Sequence, residues 1–214
     1  MTDGRSCQPL TGTSPVGAGQ VRPQRLPVAF FARDSTVVAP ELLGKRFVVG
    51  RCHGRITEVE AYTQDDPASH AFRGPTPRND VMFGPPGRLY VYFTYGMHHC
   101  VNIVTGRRGD GQAVLLRGLK PLAGLAGMRA RRGPVPDARL ADGPGKLAQA
   151  FEITLGLSDI DMTVEGPLWL GRIDRPAGEI GVSVRIGITK EADRPLRFYE
   201  LGSKFVSGRR ALNV

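Results

Sequence analysis

The chain has 214 residues, with 29 Lys plus Arg against 20 Asp plus Glu and a formal net charge of +9. That length fits one large domain or two small ones, and 41% hydrophobic residues suffice to bury a sizeable core. The charge favours a polyanionic partner. Three scattered cysteines (Cys7, Cys52 and Cys100) exclude a disulfide framework, and no apolar run reaches the eighteen residues of a membrane-spanning helix, so a cytoplasmic protein is expected.

Residues 1–25 are rich in Gly, Pro, Ser and Thr and predict a disordered tail, leaving 26–214 as the folded domain. Asp34 to Leu43 predicts a capped short helix closed by Gly44. Arg46 to Cys52 and Arg55 to Tyr62 read as strands of a hairpin turning at His53-Gly54, followed by a long polar loop over 63–87. Three more β-rich runs, Leu89 to Phe93, His99 to Val104 and Gln112 to Leu119, are joined by turns at Tyr95-Gly96 and Gly106 to Gly111. A basic excursion over 120–143 precedes a helix within Gly143 to Thr154, which sets Leu147, Ala150 and Phe151 on one face. Short strands return between Gly181 and Val206. The pattern predicts one α+β domain around an antiparallel sheet with peripheral short helices.

Alternation from Ile56 groups Ile56, Glu58, Glu60 and Tyr62 on one strand face, with Val59 and Ala61 turned to the core. Glu58 reads as part of a solvated face. Glu60 reads either that way or as a pocket carboxylate able to activate water and favour positive charge on a sugar. His70 lies in the polar loop, where a structural histidine and a functional one are equally consistent. Tyr62, Tyr90, Tyr92 and Tyr95 crowd one segment; each alone reads as an ordinary core or surface tyrosine, but their concentration points to a stacking site for an aromatic base formed by at least two of them. Asn102 and Arg117 interrupt apolar strands, so each requires a defined partner. Arg117 paired with Glu60 would position a water, or form an ordinary salt bridge. His98-His99 alternate in direction and make a poor shared metal-ligand set, no C-x-x-C or H-E-x-x-H is present, and Cys52 and Cys100 read as buried free thiols.

Several strings in fixed order carry a resemblance: E-V-E-A-Y at 58–62, S-H-A-F-R-G-P-T-P-R-N at 69–79, G-R-L-Y-V-Y-F-T-Y-G-M-H-H-C-V-N-I at 87–103, A-V-L-L-R at 113–117, G-P-G-K-L at 143–147 and R-P-L-R-F-Y at 194–199. With these the chain resembles the alkyladenine (3-methyladenine) DNA glycosylase family in its bacterial form, from about residue 26 onward. The resemblance implies a curved antiparallel sheet with a protruding aromatic turn. It also implies hydrolysis of the N-glycosidic bond of alkylated or deaminated purines in duplex DNA, by base flipping, with no metal or organic cofactor. By the same resemblance Glu60 activates the water, and Arg117 and the Ile186 carbonyl help hold it. Tyr62 and Tyr92 sandwich the extruded base with His70 at its edge, Asn102 forms a wall that excludes guanine, and Tyr95 fills the gap in the duplex. A monomer acting on damaged double-stranded DNA, away from membranes, is the expected unit, and 3-methyladenine, 7-methylguanine, hypoxanthine and ethenoadenine are all admitted as lesions. His98 and His99 depart from relatives that carry aromatic residues there. A binding-only module or a small-molecule nucleoside hydrolase would lack, respectively, the need for Glu60 joined to Arg117 and the need for Tyr95 with a basic surface.

Overall fold

The computed structural model describes residues 24–94, 96–172 and 178–208. Its centre is the long strand β2 (Cys52–Tyr62), reached through helices α1 (Val28–Phe31) and α2 (Ser35–Leu42) and strand β1 (Arg46–Val49). Asp34 caps α2, its side chain accepting the Thr36 N–H at 2.8 Å, and Gly44 beyond the helix takes a φ of 78°. After β2 come β3 (Leu89–Thr94), β4 (His98–Thr105) and β5 (Gln112–Ala123), then α3 (Leu125–Arg132) and α4 (Pro144–Ala150). The short strands β6 (Leu168–Gly171), β7 (Ile180–Ser183) and β8 (Arg197–Glu200) complete one sheet of antiparallel pairs.

The strand order is β3-β4-β5-β2-β1-β6, with β8 paired to both β2 and β7. One flank of β2 runs along β5, while the other is shared: residues 52–55 pair with β1 and residues 58–60 with β8. The sheet therefore splits beside Glu58 and curves into a half-barrel. Register shifts at Ile56/Glu58 and Glu58/Val59 mark a bulge in β2, opposite an irregularity at Arg117-Gly118 of β5.

Two expectations about the strands are corrected. The hairpin turns at Gly50-Arg51, not His53-Gly54: Gly50 has the positive φ of 54°, whereas a Cβ on Gly54 would lie 2.8 Å from Phe151 and 3.2 Å from Leu119. Gly54 thus serves close packing within the strand, not a turn. Strand β5 runs on to Ala123, beyond the expected end at Leu119, because Lys120, Pro121 and Ala123 pair with β2. Strand β6 went unread, since L-W-L-G is too short to display a period.

The main core fills one face of the sheet, where α2, α4, β1, β2 and β5 contribute buried Val38, Leu42, Phe47, Ile56, Leu116, Leu119 and Phe151. A second apolar group, Ala71, Met82, Tyr90, Val104 and Ala113, packs the loop over 63–87 onto the sheet. Asn79 ties that loop together: its amide donates to the carbonyls of His70 at 2.7 Å and Gly74 at 3.2 Å, and its carbonyl oxygen accepts the Thr76 N–H at 2.6 Å. Arg172 N–H donates to the Gln24 carbonyl at 3.0 Å and Arg25 bridges Gly171, so Gln24 and Arg25 of the expected tail pack against β6. Residues 1–23 lie outside the described residues. Among the described residues no helix is long and apolar enough to cross a membrane.

Gly118 sits where three segments meet, and a Cβ there would lie 2.6 Å from the Phe205 carbonyl oxygen and 3.1 Å from the Glu58 Cβ. Backbone cannot yield as a flexible side chain does, so Gly118→Ala should cost about 1–3 kcal/mol, read as a lower urea midpoint with an unchanged m-value.

Candidate active site

On the sheet face opposite the main core, β2, β3, β4 and β5 turn polar and aromatic side chains into a cavity of about 370 Å³. Tyr62, Tyr90, Tyr92, Asn102, Arg117 and Ile186 are among its lining residues, with His70 and Met82 from the long loop. The β2 bulge makes this arrangement possible. Plain alternation would group Ile56 with the glutamates, but Ile56 joins Val59 and Ala61 in the apolar core, while Glu60 and Tyr62 stay on the cavity side.

Glu60 is fully buried and bonded to three lining residues. Its Oε1 accepts the Ile186 N–H at 2.7 Å, and its Oε2 accepts the Tyr62 hydroxyl at 2.9 Å and Arg117 Nη1 at 3.3 Å. The same Nη1 lies 3.4 Å from the Ile186 carbonyl, which brings that carbonyl into the expected cluster with Glu60 and Arg117. A carboxylate has about four acceptor sites, so three protein donors leave one for a further proton donor.

Glu58 overturns its reading as a solvated group. It is fully buried, and its carboxylate accepts Arg197 Nε at 2.7 Å, Ser207 Oγ at 2.8 Å and Arg117 Nε at 3.1 Å, together with the Ser207 N–H. Arg117 also donates to Ser207 Oγ at 3.0 Å. Burial alone would push Arg117 down, but Glu60 and Glu58 outweigh it and raise its pKa, so the guanidinium stays charged. The segment around residue 207 covers Glu58, aided by Thr57 Oγ1 donating to the Phe205 carbonyl at 2.7 Å. Arg197 and Ser207 lie more than a hundred residues from Glu58 along the chain, and no local pattern announces them.

The rings are locked to one another. His70 meets Tyr92 with centroids 4.4 Å apart and planes at 66°, and Tyr90 lies 5.7 Å from Tyr92. His70 Nδ1 is 3.0 Å from the Tyr90 hydroxyl. Burial, and secondarily Arg78, lowers the His70 pKa, which keeps the imidazole neutral at pH 7. Burial also pushes Tyr90 up to about 12 and raises Tyr62 and Tyr92 further, so all three are hydroxyls. Tyr90, one of the four crowded tyrosines, is a buried brace for His70. Asn102 donates to the Tyr90 carbonyl at 3.2 Å, which fixes its side chain in the cavity wall. Cys52 and Cys100 are buried free thiols, as read, and Cys100 also lines the cavity.

Arg185 was not singled out by the sequence. Its guanidinium lies 4.6 Å from the Tyr62 ring centroid and pairs with Asp66. Tyr95 lies outside the described residues; beside it, Thr94 lines the cavity, Gly96 has a φ of 66° and Met97 is 68% exposed. His98 sits against Gly145 and His99 against Phe93 at 5.0 Å, the divergence that β4 imposes on neighbours. Arg73, Arg78 and Lys190 line a smaller depression that shares His70 and Tyr90 with the cavity, so a basic rim adjoins it. Among the described residues no group of three or more His, Cys, Asp or Glu is placed to hold a metal ion.

A methylpurine-DNA glycosylase family model matches residues 29–204. A relative from Methanoculleus marisnigri is 50% identical over 191 residues, covering 86% of this chain and 99% of its own length. One from Rhodopseudomonas palustris is 50% identical over 178 residues, covering 83% of this chain and 85% of its own. One from Carboxydothermus hydrogenoformans is 46% identical over 187 residues, covering 85% and 98% respectively. Each is provisionally named a 3-methyladenine DNA glycosylase.

Burial alone would raise the Glu58 carboxyl, but Arg117, Arg197 and the Ser207 N–H outweigh it and hold it below its ordinary 4.5. Its stabilising contribution is therefore complete above that ordinary value and lost as pH falls through the lower folded one. Glu58→Gln should cost about 3–5 kcal/mol at pH 7 by stranding buried guanidiniums. Urea midpoints of both proteins, followed from pH 7 down to acid, should converge as the wild type alone loses this term.

Proposed function

The chain belongs to the methylpurine-DNA glycosylase family, and from that membership we propose that it removes alkylated purines from duplex DNA with Glu60 as the group that activates water. The observation that carries this reading is the Glu60 carboxylate: fully buried, held by Tyr62, Arg117 and the Ile186 N–H, with one acceptor site unspent behind an aromatic cavity. A water in that site would donate to Glu60 and sit within reach of Arg117 and the Ile186 carbonyl.

The extruded purine enters between Tyr62 and Tyr92, with His70 and Asn102 at its edge. Extrusion costs a few kcal/mol of stacking, least at a weakened pair, and ring stacking offsets it. Alkylation at N3 or N7 leaves the purine cationic, so the N-glycosidic bond breaks with its electron pair moving to the base and neutralising it. The sugar gains oxocarbenium character, favoured by the Glu60 carboxylate nearby. Water oxygen bonds to the anomeric carbon and its proton passes to Glu60, giving a free base and an abasic site. No lysine participates, so the strand stays intact. Two buried carboxylates face Arg117, which keeps its positive charge from opposing the charge on the sugar. Asn102 would meet the exocyclic amino group of guanine, and Tyr95 would occupy the vacated stack. The basic rim of Arg73, Arg78 and Lys190 suits the DNA backbone. A single chain, without metal or organic cofactor, is the proposed working unit, with residues 26–214 as the glycosylase domain.

Glu60→Gln should keep folding and lesion binding while reducing single-turnover base release by roughly a hundredfold or more. The assay uses duplexes carrying one 3-methyladenine, 7-methylguanine, hypoxanthine or ethenoadenine each, and near-wild-type release would remove Glu60 from the mechanism. Binding to undamaged duplex should weaken steeply with salt, following a straight log–log plot whose slope counts the phosphates neutralised. A flat plot would contradict backbone contact as the use of the basic excess.

A further inference from the structure

Tyr62 is sandwiched before any lesion arrives. Its ring lines the cavity on one side. The Arg185 guanidinium stands over that ring, 4.6 Å from its centroid, and because the residue is only 4% exposed and absent from the cavity lining, the face it covers is taken as the one turned away from the cavity. The cation has a constructive use. It donates to the Ala61 carbonyl at 3.3 Å and to the Glu191 carbonyl at 3.3 Å, which seats the loop whose next residue, Ile186, donates to Glu60. The same cation creates an electrostatic difficulty: a base stacked on the open face of Tyr62 would lie roughly 8 Å from it, with a ring and little water between. A neutral purine is indifferent to that charge, but one alkylated at N3 or N7 carries a positive charge of its own.

Asp66 resolves the difficulty. Its carboxylate pairs with Arg185, both side chains are fully buried, and its Oδ1 also accepts the Ala68 N–H at 2.9 Å, which fixes its orientation. We propose that Asp66 is a specificity-determining residue: by cancelling the Arg185 charge behind Tyr62, it lets that ring stack against a purine that is itself a cation. The inference rests on the proposed reading of Tyr62 as a stacking surface for the extruded base. The other charged groups around the ring are Glu60, bonded to its hydroxyl, and Arg117, which Glu58 and Glu60 already offset. Asp66 is thus the carboxylate that faces Arg185 and balances it.

The test compares single-turnover release of a cationic lesion (7-methylguanine or 3-methyladenine) with that of a neutral one (hypoxanthine or ethenoadenine). Whichever of each pair the wild type releases faster is used, in otherwise identical duplexes. The ratio of the two rates does not depend on the folded fraction, so a general loss of structure leaves it unmoved. Asp66→Asn should lower the cationic-to-neutral ratio by about tenfold, a response expected of an uncompensated buried charge at this range. The double variant Asp66→Asn/Arg185→Met, with neither charge, should return the ratio to within about threefold of wild type. An equal loss on both lesions in Asp66→Asn overturns the proposal. If Asp66→Asn yields no folded protein, Arg185→Met decides: removing the cation should raise the ratio, and an unchanged or lower ratio overturns the proposal. A wild-type protein that releases none of the four bases strikes the glycosylase reading itself. Release by the wild type with an unmoved ratio in the variants strikes only the role of Asp66.

Discussion

Arg117 stands between two buried carboxylates supplied by one strand, and both the fold around β2 and the site depend on that contact. Its Nε reaches Glu58 at 3.1 Å and its Nη1 reaches Glu60 at 3.3 Å. Isolated charges at this depth would each cost several kcal/mol in lost hydration. The arrangement is tolerated because Arg197 adds the second positive charge on Glu58, so two anions meet two cations with hydrogen bonds in place. The result is a buried carboxylate, Glu60, held in place by the Tyr62 hydroxyl, Arg117 and the Ile186 N–H.

Building such a cluster requires the sheet to break its own alternation. A regular β2 would turn Ile56 toward the glutamates; the bulge around Thr57 and Glu58, matched at Arg117-Gly118, returns Ile56 to the core and brings the charged groups together. The split of β2 between β1 and β8 supplies Arg197 from the adjoining strand, because Glu60 and Arg197 are register partners. Ser207, near the end of the described chain, then closes over Glu58. Stability and chemistry are coupled here: the same guanidinium that satisfies a structural carboxylate also holds the carboxylate at the cavity.

The aromatic side of the site follows a parallel logic, with rings kept in place by polar groups rather than by apolar packing alone. Tyr90 is buried to hold His70, His70 leans on Tyr92, and Tyr62 is fixed at its hydroxyl by Glu60 and at its far face by Arg185. The loop over 63–87 supplies His70, Asp66 and Asn79 despite its Gly- and Pro-rich composition. Asn79 satisfies the loop's backbone from within, so a segment without regular structure can still present a fixed wall.

The α+β class, the antiparallel sheet, the capped helix at Asp34 and the order of the strands after the long loop were legible in the sequence, since each depends on local periodicity, capping and turn residues. Glu60, Tyr62, His70, Tyr92, Asn102 and Arg117 were legible as candidates because a polar or aromatic residue inside an apolar run is conspicuous, and motif order tied them to one family. Tertiary structure alone decided that the hairpin turns at Gly50, that Gly54 packs against Phe151, and which of the crowded tyrosines is the buried brace, Tyr90. It also decided that Glu58 is buried, and that Arg197, Ser207, Arg185 and Asp66 surround the site. The reason is physical. Periodicity and capping are encoded by neighbours along the chain, whereas a charge becomes buried, and finds its counter-charge, only when a bulge and a distant strand bring them together.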